Sequence, residues 1–188
     1  PAIAIRQRTV SRNPRSTVGT VTEIYDHLRL LYSRIGTIRC RECGREVKKD
    51  TLDVVLDQIL KLPEGTRIYL SFPLAGSRLD PYSQTEAARS QTIDHLVREG
   101  FRRLLLIADS TPALCQLPQE APPTLEELLA SRVLVDRLVL TPDVEERLAD
   151  SLEACYRDGS GTADVTILSS HKDDDKAQTH RFTPRFEC

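Results

Sequence analysis

The chain has 188 residues, 39% of them hydrophobic and 29% charged, with a formal net charge of −2. That length suits one medium domain, or a small domain plus part of another, with enough apolar side chains for a core. No apolar run approaches the ~20 residues of a membrane-spanning helix, and PAIAIRQRTV lacks the long apolar stretch and cleavage site of a secretory leader. Methionine is absent, and the sequence runs from Pro1 to Cys188, so it reads as an excised or incomplete segment. The five cysteines are odd in number and only Cys40 and Cys43 lie close together. This points to reduced thiols in a cytoplasmic protein, open to metal binding, rather than to a disulfide framework.

Residues 1–5 alternate small and aliphatic side chains and read as a short buried strand. The loop that follows carries Arg12, Arg15, Ser16 and Thr17, and residues 1–22 hold four arginines and no acid. Guanidinium and hydroxyl donors delivered into a helix N-terminus suit a phosphate; the same residues also suit a solvated entrance to a packed helix. A helix is expected over residues 20–34, capped by Thr20 with Glu23 three positions on, and burying Val21, Ile24, Leu28 and Leu31. CRECG follows at residues 40–44. Two thiols separated by two residues beside a glycine form half of a zinc knuckle, or else a pair of free thiols in a loop.

From Asp50 the texture changes. Asp50 is placed to cap a helix that buries Leu52, Val55, Leu56, Ile59 and Leu60. Residues 67–72 read as a strand closed by Pro73, residues 85–99 as a weaker helix, and FRRLLLIA at 101–108 as a strand. A Pro-rich loop is expected over 112–123. RVLVDRLVL is then a strand whose Asp136-Arg137 pair marks either a face shown to a partner or a charge-protected edge. Thr141-Pro142-Asp143 opens a helix that buries Val144, Leu148, Leu152 and Cys155 and stops at Gly159. ADVTILS is the last strand expected, with HKDDDKAQ as a solvated connector into RFTPRFEC. This order predicts an α/β module, or an α+β one, of about 120 residues.

None of the eight glycines stands in a G-x-x-x-x-G-K-[ST] frame, and G-x-G-x-x-G, G-x-S-x-G and H-E-x-x-H are all absent. The four histidines (His27, His95, His171 and His180) sit in unrelated contexts. No catalytic centre is readable in the segment. The rival classes are a stand-alone zinc-ribbon nucleic-acid-binding adaptor and a small α/β enzyme.

The stretch PAIAIRQRTVSRNPRSTVGTVTEIYDHLRLLYSRIG, then CRECG, VLVDRLVL, VEERLADSLEACYRDGSGTADV and RFEC, resembles the UvrA family. These are ABC-type ATPases that recognise damaged DNA in bacterial nucleotide excision repair. The resemblance implies an interior fragment: residues 1–45 from the first ATP-binding and signature region, 46–170 a mixed-sheet UvrB-binding domain, and 171–188 a linker into a truncated zinc module. It implies that Gln7 is the Q-loop glutamine that senses nucleotide and Mg²⁺. Arg12, Arg15, Ser16 and Thr17 would lie near DNA phosphates, and Arg103 and Arg137 would dock UvrB. Cys40, Cys43 and Cys188 would be zinc ligands, Cys188 the first of a four-cysteine module. The implied cofactors are zinc, with ATP and Mg²⁺ in the parent protein. The implied partners are UvrB, damaged double-stranded DNA and a second copy of the parent, with no membrane.

Overall fold

Apolar residues recurring every three or four positions make helices in this chain, and runs of aliphatic residues make strands. A computed structural model describes residues 18–79, 86–108, 111–122, 124–168 and 177–186. The chain divides into two compact units, one reaching to Val47 and the other running Lys48–Glu187.

In the first unit the expected single helix is two, α1 (Val18–Val21) and α2 (Ile24–Ile35). The break lies at Thr22 and Glu23. The Thr22 amide and hydroxyl both donate to the Val18 carbonyl, at 3.0 and 2.7 Å, and Glu23 takes a left-handed conformation with φ of 60°. Thr20 therefore sits inside α1, and α2 starts with no side-chain cap. The apolar spacing of α2 is as expected, but its stripe is not buried: Ile24, Leu28 and Leu31 are 43–49% exposed. Among the described residues, this unit has no second layer to cover it.

The second unit contains α3 (Leu52–Leu60), β1 (Arg67–Pro73), α4 (Glu86–Arg98), β2 (Arg103–Ala108), β3 (Thr111–Gln116), α5 (Leu125–Ala130), β4 (Arg132–Val139), α6 (Glu145–Asp158), β5 (Ala163–Leu168) and β6 (Gln178–Phe182). The six strands form one sheet in the order β3-β2-β4-β1-β5-β6. Every pair in it is antiparallel, so the helix-and-strand class takes its α+β form. Both edge strands escaped the sequence reading. β3 runs through Pro112 in the expected loop, and an edge strand can turn the missing N–H outward. β6 starts at the end of the expected connector and pairs with β5 from Ala163↔Phe182 to Ile167↔Gln178.

Two helix starts also differ from expectation. Thr51, not Asp50, is the N-cap of α3. Asp50 instead accepts the Tyr156 hydroxyl on its carbonyl at 2.8 Å and the Thr183 amide on its carboxylate at 3.2 Å. Helix α6 begins at Glu145 with Val144 as N-cap and no side-chain cap bond, so the Thr141 hydroxyl does not serve. Buried positions follow the sequence spacing closely in α6, where Val144, Leu148, Leu152 and Cys155 are all inside. In α3 only Val55 and Ile59 are buried, Leu52 and Leu56 partly so, and Leu60 is exposed.

The core has two clusters. Ile68, Leu70, Leu138, Leu148, Leu152 and Val165 pack with α3 and α6, whereas Phe72, Leu104, Val133, Leu96 and Leu128 pack with α4 and α5. Alternation along β1 puts Ile68, Leu70 and Phe72 on one face, so one side of the sheet serves both clusters. On β4 their partners are Leu138, Asp136 and Val133. The odd step from 133 to 136 is possible because the register shifts opposite Leu70 and Ser71, leaving Val135 as an extra bulged residue. Asp136 is thereby turned to the helix-covered face, and Arg137 to the other.

Candidate functional site

The bulge also sets how far β2 follows β4. They pair only at Leu104↔Val133 and Leu105↔Arg132. Beyond that point the start of β2 parts from β4, leaving a groove of about 540 Å³. Its walls are residues 101–103, residues 134–137 of β4, and α6 side chains including Arg147 and Arg157, together with Arg78 and Glu99. Six arginines and three carboxylates line it (Arg78, Arg102, Arg103, Arg137, Arg147 and Arg157 against Glu99, Asp136 and Asp158).

The carboxylates are all engaged. Asp158, almost fully buried, pairs with Arg78 at 2.8 Å and Arg157 at 2.9 Å, and Arg78 also lies 3.7 Å from Glu99. Asp136 receives both nitrogens of the Arg147 fork, at 2.8 and 2.7 Å, the Arg137 amide at 2.7 Å and the Ser151 hydroxyl at 3.1 Å. Burial alone would raise the Asp136 carboxyl, but these hydrogen bonds and the Arg147 charge outweigh it and hold it below the usual range. Arg102, Arg103 and Arg137 are left: all three are exposed, and none forms a side-chain ion pair with a described residue. Among the described residues these three guanidinium groups have no ion-pair partner, and each is a planar set of donors suited to a carboxylate or phosphate.

The structure brings Arg103 and Arg137 together although 34 positions separate them in the sequence. It also overturns the charge-protected-edge reading of Asp136-Arg137: β4 is an interior strand, and the two side chains take opposite faces. Arg102 stood beside Arg103 as a sequence signal. Arg78 and Arg157 had none, since only the sheet and α6 carry them to the same place.

In the first unit, Cys40 and Cys43 occupy a tight knuckle. The Cys40 amide donates to the Arg45 carbonyl at 2.8 Å, the Gly44 amide returns to the Cys40 carbonyl at 3.0 Å, and the backbones of Arg39 and Glu46 form an isolated antiparallel β-bridge. Gly44 has φ of 70°, a left-handed conformation that glycine adopts at little cost. This backbone fits two thiolate donors of a tetrahedral site. Among the described residues no group of three or more metal-ligating side chains occurs. Gln7, Arg12, Arg15, Ser16, Thr17 and Cys188 lie outside the described residues. No helix among the described residues is long and apolar enough to cross a membrane.

Comparison with known proteins gives a consistent result. Residues 50–169 match the profile of the UvrA interaction domain. The chain is 37% identical over 171 residues to UvrABC system protein A of Clostridium tetani, covering 89% of this chain and 17% of that protein. It is 38% identical over 187 residues to UvrABC system protein A of Treponema pallidum, covering 98% and 18%. For UvrABC system protein A of Escherichia coli O157:H7 the figures are 35% over 188 residues, 100% and 18%. The chain therefore spans under a fifth of the length of these relatives.

Proposed function

We propose, from the premise that this chain belongs to the UvrA family, that residues 46–170 form a UvrB-binding domain whose contact surface is the arginine-lined groove. One observation supports the reading: Arg103 and Arg137 line, with Arg102, a single groove whose carboxylates are all paired with other arginines. Such a surface attracts carboxylates of a partner, speeds encounter and fixes register, and it weakens as salt rises. Arg103→Glu or Arg137→Glu should therefore weaken UvrB binding strongly. Loss of one side of a desolvated charge pair costs ~2–5 kcal/mol, and a rim arginine far less. Calorimetric titration of UvrB into both variants, with thermal melts as a check on folding, decides it. Unchanged affinity removes these arginines from the interface, and no binding by the unmodified chain removes the docking role.

The remainder of the reading concerns the parent protein. It would bind and hydrolyse ATP with Mg²⁺, dimerise, engage damaged duplex DNA in the cytoplasm and load UvrB, with Gln7 sensing nucleotide and Arg12, Arg15, Ser16 and Thr17 near phosphates. The absence of phosphate-binding motifs from residues 1–188 supports placing the chemistry elsewhere. ATP turnover by this chain above a heat-killed control, abolished by a substitution within it, would overturn that assignment. Zinc is proposed at Cys40 and Cys43 with two further ligands from outside the described residues, and at Cys188 as part of a second site. The isolated chain should then hold zinc weakly. Tight one-to-one zinc that survives a mild chelator, and that Cys40→Ser leaves in place, would refute the assignment.

A further inference from the structure

The groove is too small to be a whole docking surface. Fourteen residues line it, whereas a stable interface of standard size takes about 20–30 residues from each side. Arg103 and Arg137 show where the rest lies. Both belong to the sheet face opposite the helices, because their neighbours Leu104 and Asp136 take the helix-covered side.

Pairing across the strands shows what else that open face carries. Arg67, Tyr69 and Ser71 of β1 alternate with the buried Ile68, Leu70 and Phe72, and Tyr69 stands between Arg137 on β4 and Thr166 on β5. Asp164 of β5 lies between Ser71 and Arg181 of β6. The face thus holds five arginines (Arg67, Arg103, Arg132, Arg137 and Arg181), on a chain whose formal net charge is −2. Among the described residues of its strands the single acid is Asp164, which is fully buried with both oxygens filled. Arg181 donates from Nε to Oδ1 at 2.7 Å and from Nη2 to Oδ2 at 2.9 Å, and Arg132 Nε reaches Oδ2 at 2.8 Å. Arg67, Arg103 and Arg137 are exposed, and among the described residues none of them has an ion-pair partner. Arg181 is held by Asp164 yet keeps 55% of its side chain exposed. Strands lie about 4.8 Å apart, so the five from β2 to β6 make an arginine-bearing patch roughly 20 Å across.

We propose that the docking surface continues from the groove across the open face of the sheet, with Arg67 and Arg181 as further contacts and Tyr69 at its centre. The partner then presents an acidic surface that reaches from β2 to β6, not one acidic side chain that enters the groove. The proposal rests on the reading that this chain docks UvrB. Arg181 is suited to the role because Asp164 already fixes it, and a guanidinium held in place loses less freedom on binding. A half-buried tyrosine ringed by arginines has the composition that carries most interface energy. Charges spread over five strands also fix the register of the partner better than the groove alone.

The test titrates UvrB into the full chain by calorimetry, with thermal melts as a check on folding. Arg67→Glu, which lies outside the groove, should weaken binding at least about fivefold, and Tyr69→Ala by a similar factor. Lys61→Glu makes the same change in net charge at the end of α3, on the helix-covered side, and should stay within about twofold. In the unmodified chain labelled with ¹⁵N-arginine, UvrB should shift or broaden the Nε–H resonances of Arg67 and Arg181 together with those of Arg103 and Arg137. That readout needs no variant, so a folding defect cannot imitate it. Unchanged affinity in Arg67→Glu overturns the proposal, as do Arg67 and Arg181 resonances that stay in place while those of Arg103 and Arg137 move. Either result leaves the groove reading intact. Equal weakening by Lys61→Glu also overturns it, because overall charge alone would then account for the loss. No binding by the unmodified chain removes the docking reading and this proposal with it. A short DNA duplex that moves the four resonances when UvrB does not would make the face a phosphate surface, and would overturn the proposal likewise.

Discussion

Tyr156 shows how a single hydroxyl closes the second unit. It donates to the Asp50 carbonyl at 2.8 Å, while Asp50 is joined to Thr183 through its own amide at 2.9 Å and its carboxylate at 3.2 Å. The first turn of the unit, the end of α6 and the segment after β6 are thus tied at one point. Burial, with the nearby Asp50 charge second, pushes the phenol up to about 12. Its folded value is raised above the unfolded one, so the stabilisation is complete below about pH 10 and is lost as pH rises through the folded value. Tyr156→Phe should cost about 1 kcal/mol at neutral pH. The difference between the two proteins in denaturant unfolding should shrink steadily as pH rises from about 10 toward the phenol's folded value. A difference that stays constant across that window would mean the hydroxyl does not titrate as its surroundings require.

At the scale of elements, the bulge in β4 decides both packing and chemistry. Val133, Asp136 and Leu138 can share a face only because Val135 is inserted between two registers of β1. If residues 133–138 were all paired regularly, with no bulge, strict alternation would send Asp136 and Leu138 to the opposite face from Val133, taking Leu138 out of the cluster built on α3 and α6. Deleting Val135 removes the extra residue, so Val133, Asp136 and Leu138 should stay on one face in unbroken pairing with β1, at a cost of only about 1–2 kcal/mol for the lost side chain. Val135→Ala keeps the extra residue and should cost only about 1–2 kcal/mol for the lost methyl groups. Urea unfolding of the two variants checks this, and a loss above about 4 kcal/mol on deletion alone would refute the register account. The same bulge ends the pairing of β4 with β2, so the groove and its free arginines are by-products of a packing solution.

For the whole molecule, the Lys48–Glu187 unit holds both hydrophobic clusters, and the described residues of the first unit contribute to neither. About 140 residues is ample for an independent domain with its own cooperative transition. Residues 48–187 expressed alone should melt in one transition within a few degrees of the full chain, and should bind UvrB with the same affinity if the groove is the docking surface. A broad melt, or exposure of apolar surface to a hydrophobic dye, would show that residues 1–47 complete the fold. The exposed stripe of Ile24, Leu28 and Leu31 on α2 predicts the reverse asymmetry, with the isolated first unit unable to fold stably.

Periodic patterns were legible because they depend on neighbours within one turn or one strand. The buried set of α6, the strands at β1, β2, β4 and β5, and the glycine of the Cys40–Cys43 knuckle could all be read from spacing alone. The resemblance carried by the opening residues and by VLVDRLVL pointed to the family and to Arg103 and Arg137 individually. The tertiary structure alone decided the edge strands β3 and β6, whose polar or proline-bearing sequences become strands only beside a partner strand. It also decided that the α2 stripe stays exposed, since amphipathic spacing states what a helix can bury and not whether a second surface is present. The groove was beyond the sequence for a similar reason. It arises where two strands part at a bulge, and the pairing of Asp136 with Arg147 joins residues eleven positions apart on different elements. Which charges are cancelled and which remain free is a property of that three-dimensional pairing, because six arginines and three acids in a list do not reveal their partners.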